Sequence, residues 1–302
     1  MSKVIVTGCC GLLGQKLVGA LQKQSVVGLD LLDAFPDKNL KLDYSLVDQA
    51  DLDQLNAAIQ QYRPEWIINC AGYTDVDGSE KNKALAYMVN TGSVENLVEI
   101  CAAQKIKLVQ LSTDYVFDGK DGPYAEEDRK NPLGYYGVTK SLAEDVIVQG
   151  LKDYIIVRTN VLYGTGVSVR PNFVTWVQKR LHEGRPLKVV KDKNNNPTLA
   201  DNLADAIAEL LDIKFSGIIH FGGADYLDRY QFAKTISEVF SYNASLILPA
   251  LTDDLQQAAK RPSNGGLKID KAKELLKTKP LTVKEGLEIL KKQLQSIPIN
   301  RH

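Results

Sequence analysis

Tyr136 and Lys140 stand four residues apart in the run GYYGVTK, and the hydroxyl pair Ser112-Thr113 follows directly on the apolar run IKLVQL. With a helix from Gly134 onward, positions i and i+4 share a face, so phenol and ammonium lie within reach of one another. An ammonium beside a phenol favours the phenolate, and the expectation is a Tyr136 pKa drawn from about 10 toward neutrality. A tyrosine tuned in that way exchanges a proton with an oxygen at a reacting carbon. The Thr113 hydroxyl, presented from a strand end, is placed to hydrogen-bond the same oxygen. These are the parts needed to polarise a carbonyl while a hydride arrives from elsewhere. Tyr135 is i+5 from Lys140 and points off that face.

A hydride carrier needs its own site, and the chain start supplies one. KVIVT (3–7) reads as a short buried strand and QKLVGALQK as a helix, with TGCCGLLG between them. Gly8, Gly11 and Gly14 in that turn let the backbone approach a pyrophosphate, which a helix N-terminus stabilises. The spacing is G-x-x-G-x-x-G rather than G-x-G-x-x-G. The next apolar run, SVVGLD, ends in Asp30, 22 residues after Gly8. That is near the offset of about 20 at which a strand-end acid meets the adenosine ribose. Such an acid accepts from both ribose hydroxyls and repels a 2′-phosphate, so NAD(H) is favoured and NADP(H) is the alternative. Residues 40–43 read as a short third strand, with Asp43-Tyr44 beside the adenine. EWIINCAG (65–72) is a fourth, buried strand whose Ala71 and Gly72 leave room for a cofactor to pass.

The elements that must position these groups alternate in type. IKLVQL is a fifth strand and DYIIVRTNVLYG a sixth run, and a long helical segment spans roughly 82–104. Asn90 sits in its middle, where an Asn costs helix propensity unless its side chain binds neighbouring backbone. Alternation of strand and helix argues for an α/β fold with a doubly wound parallel sheet of Rossmann type, with ligands at the carboxyl ends of the strands. From about residue 163 the rhythm changes. We divide the chain into a dinucleotide-binding domain over 1–165, to which about 198–222 returns, and a smaller interleaved substrate domain over 166–197 and 223–302. Arg170, Arg180 and Arg261 of that second part are candidates for an anionic substrate. Arg261, beside Pro262 in a loop, is the best placed.

The 37 basic and 37 acidic residues balance. No bulk field favours nucleic acid or an anionic membrane, and no apolar run approaches the ~20 residues of a membrane span. The start MSKVIVTG enters a strand at once, without a signal-peptide layout. Cys9, Cys10, Cys70 and Cys101 show no metal-ligand spacing, so the expectation is reduced thiols in a cytoplasm and no metal site.

The motifs TGCCGLLG, NCAGYTDVD (69–77), STDYVFDG (112–119), PYAEED (123–128), NPLGYYGVTKSLAE (131–144), PTLADNLA (197–204) and RPSNGGL (261–267) together resemble the extended short-chain dehydrogenase/reductases, and most closely the dTDP-4-dehydrorhamnose reductases. They span nearly the whole chain in order. The resemblance implies Thr113, Tyr136 and Lys140 as the catalytic set. It places Gly8, Cys10, Gly11, Leu12, Leu13, Gly14, Asp30, Asp43, Tyr44, Ala71, Gly72, Tyr73 and Ser112 on the dinucleotide, together with Tyr136 and Lys140. Thr113 and Asp114 would face a nucleotide-sugar substrate, with Arg261 beside them. The chain departs from the family pattern at Val161, where an aromatic is usual, at Asp228, where a serine is usual, and at Ala143, where a glycine is common. The expected reaction is NAD(P)H-dependent reduction of a nucleotide-linked 4-keto sugar. The alternatives are a sugar-nucleotide epimerase or dehydratase, and a cofactor-binding regulatory subunit resembling the methionine adenosyltransferase β subunit. A homodimer is left open.

Overall fold

The computed structural model describes residues 2–254 and 258–296. Its first half alternates strands with helices, except that the second strand leads to the third with no helix between them. Strands β1 (Lys3–Thr7), β2 (Ser25–Asp30), β3 (Asp43–Leu46), β4 (Trp66–Asn69), β5 (Lys107–Thr113) and β6 (Tyr154–Thr159) are separated by α1 (Leu12–Ala20), α2 (Leu52–Tyr62), α3 (Val76–Lys81), α4 (Lys83–Tyr87), α5 (Ser93–Gln104) and α6 (Tyr135–Gly150). The second half runs β7 (Leu162–Tyr163), α7 (Phe173–His182), β8 (Leu187–Val190), β9 (Asn194–Asn195), β10 (Thr198–Leu199), α8 (Ala200–Asp212) and β11 (Gly217–His220). It closes with β12 (Leu227–Asp228), α9 (Arg229–Val239), β13 (Ile247–Ala250), α10 (Asp270–Leu275) and α11 (Val283–Ser296). No helix among the described residues is long and apolar enough to cross a membrane.

One seven-stranded sheet, in the order β11-β6-β5-β4-β1-β2-β3, is parallel throughout. Its central strands are apolar on both faces because helices cover both. Leu13, Leu17 and Val18 of α1 pack with Leu203, Ile207 and Leu210 of α8 on one face. On the other lie Leu55 and Ile59 of α2, Leu97 and Val98 of α5, and Ala143 and Ile147 of α6. A separate apolar cluster joins α7, α9 and α11 to β8 and β13. The chain crosses from one face of the sheet to the other between β1 and β4, and that crossing is where such folds bind ligands.

Three elements differ from the sequence expectation. The third strand begins at Asp43, opposite Val27, rather than occupying 40–43, because Leu40 and Leu42 turn instead onto the α1 side of the core. The long helical segment over 82–104 is continuous but not uniform: Asn82 caps α4, and a π-helical turn over Met88–Gly92 joins α4 to α5. The sixth strand stops at Thr159, since Val161 adopts φ +44° and turns the chain out of the sheet. The following Leu162-Tyr163 pairs with Thr198-Leu199 instead.

Candidate active site

At the carboxyl edge of the sheet a buried polar ladder crosses three strands. Thr7 donates to Asn69 Oδ1 (2.7 Å), and Asn69 Nδ2 donates to Gln110 (2.8 Å). Asn69 Oδ1 also accepts from the Ala71 amide, so the ladder fixes the loop after β4. Asn90 holds the next part of that loop. It accepts from the Tyr73 amide (2.8 Å) and donates to the Tyr73 carbonyl and to Thr139 of α6. The mid-helix asparagine therefore binds neighbouring backbone, as its propensity cost suggested, and the π-turn aims it there.

Gly8, at φ +64°, is pressed against that loop, and a Cβ there would lie 2.5 Å from the Ala71 nitrogen. A Cβ on Gly14 would lie 2.4 Å from the Gly8 carbonyl. The turn is closed to any side chain at these two positions. Gly11 is the N-cap of α1 and supplies no side-chain cap, which leaves the first helical N–H groups facing the crossing. Asp30 ends β2 with its carboxylate fixed: Oδ2 accepts from the Cys10 amide (2.9 Å) and Oδ1 from the Leu31 amide (2.8 Å). The Tyr44 hydroxyl donates to the Leu32 carbonyl and lies 3.8 Å from the Cys10 thiol. Asp43, the exposed first residue of β3, pairs with Val27, three residues before Asp30 in β2.

Across the crossing, α6 presents Tyr136 and Lys140 on one face. Tyr136 is half-buried and packed edge-on against Tyr115 (5.7 Å between centroids), with the Thr113 hydroxyl close enough to favour its phenolate against burial. The electrostatics correct the sequence expectation. Burial, and then the charges of Asp114 and Tyr115, push the Tyr136 phenol up rather than toward neutrality. Lys140, only 6 % exposed, is brought down to about 8 by burial, against the opposing pull of Glu144 one turn further along. Desolvation leads both shifts.

Thr113 stands between two partners with one hydroxyl hydrogen to give. It donates to Asp114 Oδ1 (3.2 Å) and accepts from the Tyr115 amide, with the Tyr136 phenol close by. Asp114 is buried, with Oδ2 held at 3.3 Å by both Asn160 and Asn195. Burial raises its carboxyl to about 6, against the hydrogen bonds from Asn160 and Thr113 and the Arg229 charge. An ionised Asp114 draws the Thr113 hydrogen to itself, whereas a protonated one releases it toward Tyr136.

Beneath these residues lies an ion pair that sequence reading missed. Glu144 accepts from Arg158 Nε (2.9 Å) and Nη2 (2.8 Å) and from the Ser112 hydroxyl (2.5 Å). Arg158 Nη1 also reaches His220 at 3.1 Å. Glu144 and Arg158 lie within one run and one strand already singled out, but nothing in their spacing signals the pairing.

On the outer wall, Arg261 is engaged by Asp77 through two bonds of 3.1 and 2.8 Å, and Asp77 also accepts from the Ala259 amide. Two further cations escaped sequence reading. The antiparallel pairing of Asp228 with Asn194 sets Arg229 beside Lys193, and the Asn194–Asn264 bridge brings the Arg261 loop to the same place. Burial and the neighbouring Arg261 bring Lys193 down to about 8. The Arg229 guanidinium lies over the Phe173 ring, and its charge reaches both Asp114 and Tyr115. Arg180 donates instead to the Pro186 carbonyl at the surface, and Arg170 is exposed.

Known proteins resemble the chain over nearly its whole length. The family model of the RmlD substrate binding domain matches residues 2–296. A probable low-salt glycan biosynthesis reductase, Agl14, of Haloferax volcanii is 32 % identical over 290 residues, covering 94 % of this chain and 96 % of that protein. The dTDP-4-dehydrorhamnose reductase of Aggregatibacter actinomycetemcomitans is 30 % identical, over 93 % of this chain and 95 % of its own. Among solved structures, the dTDP-4-dehydrorhamnose reductase of Bacillus anthracis in complex with NADP superposes with a TM-score of 0.88 at 29 % identity, covering 97 % of this chain and 99 % of that one.

Proposed function

The chain belongs to the RmlD substrate binding domain family, and from that premise we propose that it is an NAD(P)H-dependent reductase of a nucleotide-linked 4-keto sugar, of the dTDP-4-dehydrorhamnose kind, with Tyr136 as its acid. The observation that carries the reading is the position of Tyr136: α6 sets it edge-on against Tyr115 beyond the end of β5, close to the Thr113 hydroxyl and the Asp114 carboxyl and one turn before Lys140.

The residues at the crossing fit a dinucleotide. The turn closed to side chains at Gly8 and Gly14 and the uncapped start of α1 suit a pyrophosphate, and the fixed Asp30 carboxylate suits a ribose. The cofactor, when bound, supplies the hydride for the keto carbon. Tyr136 gives its phenolic proton to the sugar oxygen as that oxygen becomes an alkoxide: the tyrosine O–H bond breaks and the sugar O–H forms. A phenol raised by burial stays protonated until this stronger base arrives, which is what an acid needs. Lys140, one turn away, then stabilises the phenolate with its charge.

Thr113 and Asp114 complete the proton path. A protonated Asp114 donates to Thr113, freeing the Thr113 hydrogen for the sugar oxygen or the Tyr136 phenolate. Lys193, Arg229 and Arg261 receive the diphosphate of the nucleotide sugar, whose negative charges match theirs. For Arg261 that means sharing or leaving Asp77. The free thiols are in keeping with a reducing, cytoplasmic setting.

The test is a spectrophotometric assay of dTDP-4-keto-6-deoxyhexose with NADH and with NADPH. Loss of reduced-cofactor absorbance, matched by formation of a 6-deoxyhexose nucleotide, is the expected result. A protein that binds the cofactor but reduces no nucleotide keto sugar offered to it would instead be a regulatory subunit.

A further inference from the structure

The cysteines looked inert in the sequence because adjacency is not a metal-ligand spacing. Folding changes their company. The thiols of Cys9 and Cys10 are 3.9 Å apart, and each offers a ligand atom within 4.8 Å of the other and of the Asp30 carboxylate. A tetrahedral zinc-like ion with metal–sulfur bonds near 2.3 Å sets its two sulfurs about 3.8 Å apart. The thiols therefore already have the span of such a site.

The Tyr44 hydroxyl, 3.8 Å from the Cys10 sulfur, adjoins the remaining position. The parts are held firmly. Cys10 donates its amide to the Asp30 carboxylate that would share the ion, and Cys9 is packed over Gly28 of β2, where a Cβ would meet its sulfur at 2.7 Å. Asp30 is half-buried and followed by exposed Leu31, so the cluster opens to solvent on that side. Two thiolates, a carboxylate and a divalent ion sum to one negative charge, which the adjacent start of α1 favours.

We propose that Cys9, Cys10 and Asp30 form a binding site for one thiophilic divalent cation of the zinc class, and that its occupation and that of the dinucleotide exclude each other. The exclusion follows from shared parts. The carboxylate that would ligate the ion is the one read here as the ribose acceptor, and both cysteines belong to the turn that would carry the pyrophosphate. The exclusion rests on the proposed cofactor placement, whereas capture of the ion does not. Such a site would make the enzyme sensitive to zinc or cadmium at the level of cofactor binding, while turnover itself would need no metal.

The experiment uses the full chain, freed of metal by chelator, titrated with Cd²⁺ and followed by the ultraviolet thiolate-to-metal charge-transfer band. One equivalent should saturate the band. The absorbance per bound ion should fall to half or less in Cys9→Ala or Cys10→Ala and vanish in the double variant, while Cys70→Ala keeps it. Circular dichroism of each variant checks that the fold survives, and Asp30→Asn provides a ligand change outside the core. A full-sized band in the double alanine variant, or no band in the wild type, overturns the site. Saturating NADH, whose binding is read by its own fluorescence, should suppress the band. An undiminished band with NADH demonstrably bound overturns the mutual exclusion. A wild type that takes Cd²⁺ in this way yet shows no NADH fluorescence change supports the metal site and fails the cofactor reading, so the two failures are told apart.

Discussion

Glu144→Gln tests stability and catalysis in one substitution. The carboxylate is 1 % exposed and its partner Arg158 2 %, and they meet through two bonds of 2.9 and 2.8 Å, with Ser112 adding a third at 2.5 Å. Removing one partner of a buried pair leaves an uncompensated charge and costs about 3–5 kcal/mol. Glutamine keeps one acceptor oxygen for Arg158 or Ser112, so the expected loss is the low end, ~3 kcal/mol. With a urea slope of about 3 kcal/mol per molar for a chain of this size, the midpoint should fall by roughly 1 M. The pH dependence has a definite sign. Burial pushes the Glu144 pKa up, but the Arg158 bonds outweigh it and the net shift is downward. A depressed carboxylate contributes stability that is present above its unfolded value, about 4.3, and lost as pH falls through the folded one. The gap between wild type and variant should therefore be full at neutral pH and close in acid. Glu144 also opposes the fall of Lys140, so the alkaline decline of kcat expected from a lysine at about 8 should begin at lower pH in the variant than in the wild type. Equal urea midpoints at pH 7, or a gap that persists unchanged below pH 4, would refute the reasoning.

Tyr136→Phe should lower kcat by about 10²–10⁴-fold with NADH affinity near wild type, as loss of a general acid does. Tyr135→Phe should be nearly silent, because Tyr135 lies under Lys83, off the Lys140 face. Asp114→Asn should remove the inflection near pH 6 from the kcat/KM profile, since that carboxyl sits at about 6. An unchanged inflection would assign the titration to another group. The wild type should bind NADH more tightly than NADPH, and Asp30→Ala should narrow the difference, measured by cofactor fluorescence. Tighter NADPH binding by the wild type would overturn the ribose assignment.

What the sequence made legible is what lies along a single element. The Tyr136–Lys140 register, the glycine turn between β1 and α1, and the strand ending in Ser112-Thr113 are all local patterns. Their periods of four residues, three residues and two faces survive folding unchanged. The groups that escaped are joined across elements. Thr7, Asn69 and Gln110 meet only because β1, β4 and β5 are neighbours in the sheet, and Lys193 and Arg229 only because two short strands pair. The same limit explains the one electrostatic expectation that failed. Spacing shows that an ammonium can reach a phenol, but the sign of the pKa shift depends on what covers the pair, and Tyr115, Asp114 and the outer wall come from elsewhere in the chain. The correction improves the chemistry. A tyrosine already near neutrality would be partly ionised at rest and poor as a donor. In the proposed mechanism, one held protonated by burial, beside a carboxyl near pH 6, would give up its proton only when the alkoxide forms.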